Sequence, residues 1–325
     1  MKYSLLLAFI LGVFFTSCKI EDPKPGKIKT VVCTTSLLAD ATAQVVGDSV
    51  EVKYIMGPGV DPHEYVPTKK DRDLLLNADV ILYHGLHLEA MFEETFESLK
   101  KQKKRVINVG NGFSKGALLP WVETGCCAKD NKEESHSHDS NGHHNNSFDP
   151  HVWNDPMLWK DATIYIGAEL GKIDSTLTDF FNTNATNYAK ELDELNTWAT
   201  NRVDEVPDSV RVMITAHDAF RYMERRYNIE VKGLQGISTS AEYGIKDMTD
   251  MVDLICSRGI KSVFVESSVS DKAVTSLIEG CAAKGHTLTN GGTLYSDALG
   301  NEGTEAGTYI GMYKSNINTI VNALK

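Results

Sequence analysis

The chain has 325 residues, of which 42% are hydrophobic and 24% are charged, a composition typical of a globular protein with two domains of ordinary size. Its formal net charge is −11, and no basic cluster is denser than residues 100–105. A nucleic-acid-binding protein would normally present a basic face, so we expect no nucleic-acid partner.

Residues 1–17 are predicted to be a signal peptide. A single lysine precedes a short apolar segment, which is too short to span a membrane. The small residues before Cys18 resemble a bacterial lipobox and predict lipid attachment at that cysteine. Cleavage by an ordinary signal peptidase is the alternative, because Phe15 is unusual at the first lipobox position. Residues 18–27 would form a lipid-anchored tether that holds the protein to the membrane in the cell envelope, facing the periplasm or the exterior.

Strand-like and helical patterns alternate after the tether. The predicted strands are 29–35, 50–56, 79–85 and 105–110, and the predicted helices between them are 36–47, 68–77 and 88–101. Strands with crossover helices predict a parallel α/β lobe, which we assign to residues 28–177.

A segment poor in large apolar residues interrupts this pattern at 112–148 and includes a His-rich loop at 128–147. Two helices are predicted after it, at 156–172 and at about 178–205. The second is long and amphipathic and stops at Pro207, so we assign 178–206 to a rigid connecting helix.

The α/β pattern then returns in a second lobe, residues 207–325. Its predicted strands are 210–216, 229–236, 261–267 and 286–290, and its predicted helices are 218–227, 242–258, 271–284 and 304–323. The predicted fold class is therefore α/β, with two Rossmann-like lobes that each contain a parallel four-stranded sheet and are joined by a long rigid helix. The cleft between two such lobes is a common place for a ligand.

Four residues are the candidate metal ligands. His63 and His217 each lie just past a predicted strand, and Asp297 lies in the loop after the last strand. In parallel α/β sheets, ligands bind beyond the carboxyl ends of the strands. His151 belongs to a second Asp-Pro-His triplet, like that of His63, in which proline stiffens the backbone and the aspartate can accept a hydrogen bond from backbone or imidazole.

The donor types favour Zn²⁺, since three imidazoles and one carboxylate suit this ion. Mn²⁺ is the alternative, although it prefers more oxygen donors. Glu266 also ends a strand, and we favour a role as hydrogen-bond partner of a ligand over roles as a ligand or a helix cap. His84 follows a strand too and is a minor candidate.

Four further histidines lie in the His-rich loop, whose composition cannot build a core: His136, His138, His143 and His144. They are either incidental residues of a solvated loop or an accessory site that collects or senses zinc. Ordering such a loop costs entropy, so the accessory site would bind more weakly than a rigid one.

The cysteines beyond Cys18 leave their pairing open. Cys256 and Cys281 could form a disulfide if their helices lie side by side, and Cys33 has no predicted partner. The adjacent Cys126 and Cys127 could bind metal weakly, pair elsewhere or do neither.

The chain resembles a known family across most of its length, from about residue 29 onward. The matching stretches are VVCTTSLLAD, IMGPGVDPHEYVPTKKD, NADVILYHGLHLE, DPHVWNDP, TAHDAFRYMERRYNIEVKGLQGIST, EYGIKDM, VFVESSV and LYSDALG. They are similar to the metal-binding lipoproteins of bacterial zinc and manganese ABC importers, the cluster A-I solute-binding proteins. The resemblance implies two lobes, a rigid connecting helix and a metal ion in the cleft held by His63, His151, His217 and Asp297. It also favours zinc, because manganese carriers of the family often have Glu where His217 stands, and a His-rich insertion is typical of the zinc branch.

The expected function is therefore extracytoplasmic capture of zinc by a monomer that delivers it to an ABC permease. A manganese-binding importer component and a lipoprotein adhesin are the alternatives. A zinc hydrolase is disfavoured, because four protein ligands leave no open position for a catalytic water and no His-Glu-x-x-His segment is present. We expect the protein not to be an enzyme.

Overall fold

A computed structural model describes residues 26–122, 147–240 and 243–325. The signal peptide, Cys18 and nearly all of the tether lie outside these ranges, as do the four histidines of the His-rich loop, Cys126 and Cys127. Within the described ranges, none of the helices combines the length and the apolar character that crossing a membrane requires.

The first lobe contains one parallel four-stranded sheet, as predicted. Its strands are β1 (Thr30–Thr35), β2 (Glu51–Met56), β3 (Val80–Tyr83) and β4 (Arg105–Asn108), in the spatial order β2-β1-β3-β4. The associated helices are α1 (Ser36–Val46), α2 (Lys69–Asn77) and α3 (Glu93–Lys101). β3, one of the two interior strands, is buried along its whole length, which explains its uninterrupted apolar sequence. Helix α1 begins directly after β1 because the Thr35 hydroxyl accepts a hydrogen bond from the Leu38 N–H at 3.2 Å.

Two long helices follow, α4 (Pro156–Ile173) and α5 (Thr178–Val203). Helix α4 starts at a proline, and the side chain of Asp155 accepts a hydrogen bond from the Met157 N–H at 2.9 Å. Together these two residues form a local signal for the N-terminus of a helix. The 26 residues of α5 make a rod of about 39 Å. It packs against α4, against α1 of the first lobe and against the last helix of the second lobe.

The second lobe contains the four predicted strands, arranged as two parallel pairs. The strands are β5 (Val212–Thr215), β6 (Glu230–Gly233), β7 (Ser262–Glu266) and β8 (Thr289–Leu294). The helices of this lobe are α6 (Arg221–Tyr227), α7 (Ile245–Arg258), α8 (Lys272–Ala283) and α9 (Tyr309–Leu324). β5 pairs with β6 and β7 pairs with β8, while β5 and β7 lie beside each other without a described hydrogen-bonded ladder. The lobe therefore has the expected strands in a less continuous sheet than the predicted four-stranded one.

The last strand, β8, is displaced from its predicted position at 286–290. It continues through Gly291 and Gly292, residues that weaken a strand pattern in sequence. Gly292 has a φ of +126°, and a Cβ built there would lie 2.6 Å from Thr319 Cγ2. Close packing against α9 thus requires glycine within this strand, which ends three residues before Asp297.

One buried apolar cluster runs through both lobes. It includes Leu38 of α1, Leu192 of α5, Phe220 ahead of α6 and Tyr313 of α9, all of which are fully buried. Because interiors of this kind are close-packed, a large rotation of one lobe against the other would disrupt the cluster.

Candidate metal centre

The structure brings the four predicted ligands together. His63 lies in the loop after β2, His217 directly after β5 and Asp297 after β8, all at the carboxyl ends of strands. His151 precedes α4, at the start of a short 3-10 turn. All four side chains are buried, and one donor atom from each lies within 4.8 Å of the others.

The spacing of the donor atoms suits a single ion. His151 Nε2 lies 3.1 Å from His63 Nε2 and 3.4 Å from His217 Nε2. Asp297 Oδ1 lies 3.5 Å from His151 Nε2 and 3.6 Å from His217 Nε2. In a tetrahedral site with bonds of about 2.0–2.1 Å, neighbouring donors are about 3.3 Å apart. The measured separations fall around that value.

Asp297 carries a buried oxygen with unused acceptor capacity. Its Oδ2 accepts hydrogen bonds from Ser268 Oγ at 2.7 Å and from Ser296 Oγ at 3.1 Å. Its Oδ1 has no partner in hydrogen-bond geometry within the described ranges, although it is buried. A buried carboxylate oxygen without a partner is costly, so its position among three imidazoles fits a cation as the missing partner.

His151 is oriented by the aspartate of its own triplet. Asp149 Oδ1 accepts from the backbone N–H of His151 at 3.0 Å and lies 2.8 Å from its Nδ1. Arg221 in turn approaches Asp149 Oδ2 at 3.3 Å. An Nδ1–H donated to Asp149 leaves Nε2 of His151 as a lone-pair donor that faces the cluster.

His217 is supported in the same way by Glu266. Glu266 Oε1 accepts from the backbone N–H of His217 at 2.9 Å, and Oε2 lies 2.5 Å from His217 Nδ1. Glu266 therefore contacts the side of the ring away from the cluster and is not part of the four-residue group. The arrangement matches the favoured role of Glu266 as a hydrogen-bond partner of His217, and it does not show the two alternative roles, as a helix cap or as a ligand.

The electrostatics of the cluster separate His63 from the other two histidines. Burial and the neighbouring charge of His151 lower the pKa of His63 to about 3. Burial also pulls down the pKa of His151, but the hydrogen-bonded carboxylate of Asp149 and the nearby charge of Asp297 outweigh it and raise this pKa to about 8. For His217, burial is likewise outweighed by the charges of Glu266 and Asp297, and the pKa is well above its usual value.

Asp297 shows the reciprocal effect. Burial by itself raises the pKa of its carboxyl group, but the charges of His217 and His151 hold that pKa well below the usual range. The cluster thus combines an anionic carboxylate with two imidazoles, those of His151 and His217, whose positively charged forms are favoured by neighbouring carboxylates. A divalent cation supplies positive charge at the same place.

The remaining sequence candidates lie elsewhere. His84 is buried but outside the group of four, and its Nε2 lies 2.8 Å from Thr35 Oγ1. Cys256 of α7 and Cys281 of α8 lie on helices that pack together, and both are free thiols, as is Cys33. Sequence reasoning did not name the serines that hold Asp297. Their only signal was their position in the polar segments that follow β7 and β8.

Known proteins similar to this chain are metal-binding proteins. Residues 31–323 match the family described as "Zinc-uptake complex component A periplasmic". The chain is 40% identical over 328 residues to the manganese-binding lipoprotein MntA of Bacillus subtilis, covering 100% of both chains. It is 38% identical over 303 residues to the zinc-binding protein TroA of Treponema pallidum, covering 93% of this chain and 90% of TroA.

The fold agrees with these sequence relations. The solved structure of the periplasmic zinc-binding protein TroA from Treponema pallidum superimposes with a TM-score of 0.81, at 38% identity, over 92% of this chain and 99% of that one. The predicted two-lobe α/β fold and the predicted family are both confirmed. The non-enzymatic role is confirmed as well, because the family comprises transport components. The chain belongs to the ZnuA family, the metal-binding solute-binding components of ABC importers.

Proposed function

We propose that this protein captures one zinc ion between its two lobes, with His63, His151, His217 and Asp297 as the ligands, and delivers it to a membrane permease. The observation that carries the proposal is the buried cluster itself. Three Nε2 atoms and one carboxylate oxygen without a hydrogen-bond partner converge at separations suited to a single ion. Three imidazole nitrogens and one carboxylate are a preferred donor set for zinc.

Manganese is the alternative cargo, and a specific observation favours it. The manganese-binding lipoprotein MntA is 40% identical to this chain over its full length, slightly more than zinc-binding TroA at 38%. Donor type supports zinc, since manganese prefers more oxygen ligands and a higher coordination number. Asp297 binding through both oxygens would help to accommodate manganese, but its Oδ2 is engaged by two serine hydroxyls.

The supporting carboxylates explain how the cluster favours a metal ion. Asp149 and Glu266 face the Nδ1 atoms of His151 and His217, which directs both Nε2 atoms inward. Such partners fix the ring orientation and raise the basicity of the ligand nitrogen. The cargo would therefore bind to a largely preformed set of donors and lose little free energy to side-chain ordering.

Release is proposed to need local change around the ligands instead of a large hinge motion. The continuous core through both lobes and the packing of α5 against α1 and α9 support this idea. Small-angle scattering of the metal-free and metal-bound protein should give closely similar curves. A large change in the radius of gyration would contradict it.

The cell-envelope setting is part of the same proposal. The relatives named lipoproteins support a lipid anchor, for which Cys18 is the predicted residue, and an ABC permease as partner. The mature protein is proposed to be a monomer in the cell envelope, anchored to the membrane and facing the periplasm or the exterior. The lipoprotein-adhesin alternative stays a prediction.

The deciding experiment is metal analysis of protein purified without added metal, followed by competition between zinc and manganese. We expect one tightly bound zinc ion per chain, which manganese does not displace at equal concentration. Asp297→Asn should weaken this binding, whereas the exposed Asp48→Asn should leave it unchanged. Tight binding that survives in Asp297→Asn would overturn the ligand assignment, and displacement of zinc by manganese would overturn the choice of cargo.

A further inference from the structure

The two Asp-Pro-His triplets use their aspartates differently. In the second, Asp149 Oδ1 contacts both the backbone and the ring of His151. In the first, Asp61 Oδ1 accepts from the backbone N–H of His63 at 2.8 Å, while Oδ2 accepts from Thr239 Oγ1 at 2.6 Å. Thr239 lies 178 residues further along the chain, in the second lobe beyond β6. The first triplet therefore spans the cleft.

The contact between Asp61 and Thr239 is short and partly buried. Thr239 is buried, with 9% of its surface exposed, and its carbonyl oxygen accepts from Gln235 Nε2 at 3.2 Å. A separation of 2.6 Å is typical of a hydroxyl that donates to an ionised carboxylate. Such bonds are about twice as strong as neutral ones, and partial burial reduces the competition from water.

The same loop meets the second lobe at a further point. Gly59 has a φ of +70°, and a Cβ built there would lie 3.4 Å from the carbonyl oxygen of Ser267. Ser267 directly follows Glu266, the residue that supports His217. The loop that carries His63 thus meets the second lobe at two points, Gly59 and Asp61, both of which precede His63.

We propose that Asp61 and Thr239 are positioning residues that retain the bound metal by tying the His63 loop to the opposite lobe. This inference rests on the proposed function, since His63 must be a ligand for the tie to affect the ion. The rings of His151 and His217 are held by carboxylates at Nδ1, whereas the described support of His63 is the Asp61 contact to its backbone. The position of His63 therefore depends on its loop, and the loop depends on Thr239.

A tie between lobes acts mainly on dissociation. It stabilises the arrangement from which the ion must leave and adds nothing to the encounter between ion and protein. Affinity differences of this type appear mostly in the dissociation rate. Loss of one hydrogen bond to a charged group should raise that rate by about tenfold or more.

The test uses the full chain with zinc as the probe and compares three variants. Thr239→Val removes the hydroxyl at nearly constant shape, Thr239→Ser keeps it, and Ser238→Ala removes a neighbouring hydroxyl that contacts only Ser240 among its described partners. Zinc dissociation is measured by stopped-flow mixing with excess chelator, and association is measured separately. The melting temperature of each metal-free variant checks the fold.

We expect Thr239→Val to release zinc about tenfold faster with an association rate within twofold of the wild type. Thr239→Ser and Ser238→Ala should both release zinc at nearly the wild-type rate. Wild-type dissociation in Thr239→Val, or faster release in all three variants, would overturn the tie while leaving the proposed function intact. Failure of the wild-type chain itself to bind zinc or manganese would instead overturn the proposed function, and the tie with it.

Discussion

Glu266→Gln is the sharpest test of how the centre is supported. Glu266 Oε1 accepts a hydrogen bond from the backbone N–H of His217 at 2.9 Å, Glu266 Oε2 is in ion-pair contact with His217 Nδ1 at 2.5 Å, and both side chains are fully buried. Glutamine has nearly the same shape but only one accepting oxygen, since its NH₂ group is a donor. Whichever way the amide is turned, either the backbone N–H or the Nδ1 atom of His217 faces an NH₂ group instead of an oxygen.

The magnitude follows from that geometry. A buried donor left without a partner costs about 1–3 kcal/mol. Substitution of a carboxylate that supports a metal-bound histidine typically lowers metal affinity by about tenfold to hundredfold, which corresponds to about 1.4–2.7 kcal/mol. The two ranges agree, so we expect Glu266→Gln to raise the Kd for zinc by about tenfold to hundredfold with the four proposed ligands unchanged.

The assay is competition for zinc against a chromogenic chelator of known affinity, at one pH and ionic strength. Glu279→Gln is the matched control, because Glu279 is exposed on α8 and does not belong to the cluster of four candidate ligands. Glu266→Asp serves as a second variant if the glutamine variant does not fold. A Kd for folded Glu266→Gln within twofold of the wild type would refute the view that Glu266 positions His217.

Three further predictions concern selectivity, pH and the His-rich loop. His217→Glu should lower the preference for zinc over manganese in a competition experiment, because it replaces a nitrogen donor by oxygen; an unchanged ratio would mean that geometry decides. Burial raises the pKa of Asp40 from 3.8 to about 6, so its ionisation destabilises the fold as pH rises from about 4 to above 6. Relative to the wild type, metal-free Asp40→Asn should therefore gain up to about 3 kcal/mol of unfolding free energy between pH 4 and pH 7, measured by urea denaturation, and a constant difference would contradict this. Deletion of 132–147 should remove weak zinc sites and keep the tight one in a titration, whereas loss of the tight site would implicate a ligand from the loop.

Local sequence determined the elements well where the signals are local. The start of α4 is encoded by Asp155 and Pro156, and the observed Pro156–Ile173 nearly matches the predicted 156–172. The bounds of β8 could not be predicted from local sequence in the same way. Its two glycines look like a strand end, yet parallel pairing with β7 and close packing on α9 extend it to Leu294.

The sheet of the second lobe shows the same limit. Hydrophobic runs placed β5, β6 and β7 along the chain, because the buried positions of a strand carry apolar residues. Whether neighbouring strands share a continuous ladder depends on their separation in space. The structure pairs them two by two.

The sequence by itself determined the donor types and their positions near strand ends, because strand periodicity and histidine placement are local properties. Only the tertiary structure decided the partners of those donors. The triplets at His63 and His151 are identical in sequence, yet Asp61 binds Thr239 at a separation of 178 residues and Asp149 meets Arg221 at 72. Hydrogen bonds between residues so far apart depend on how the lobes pack, and no local pattern encodes that packing.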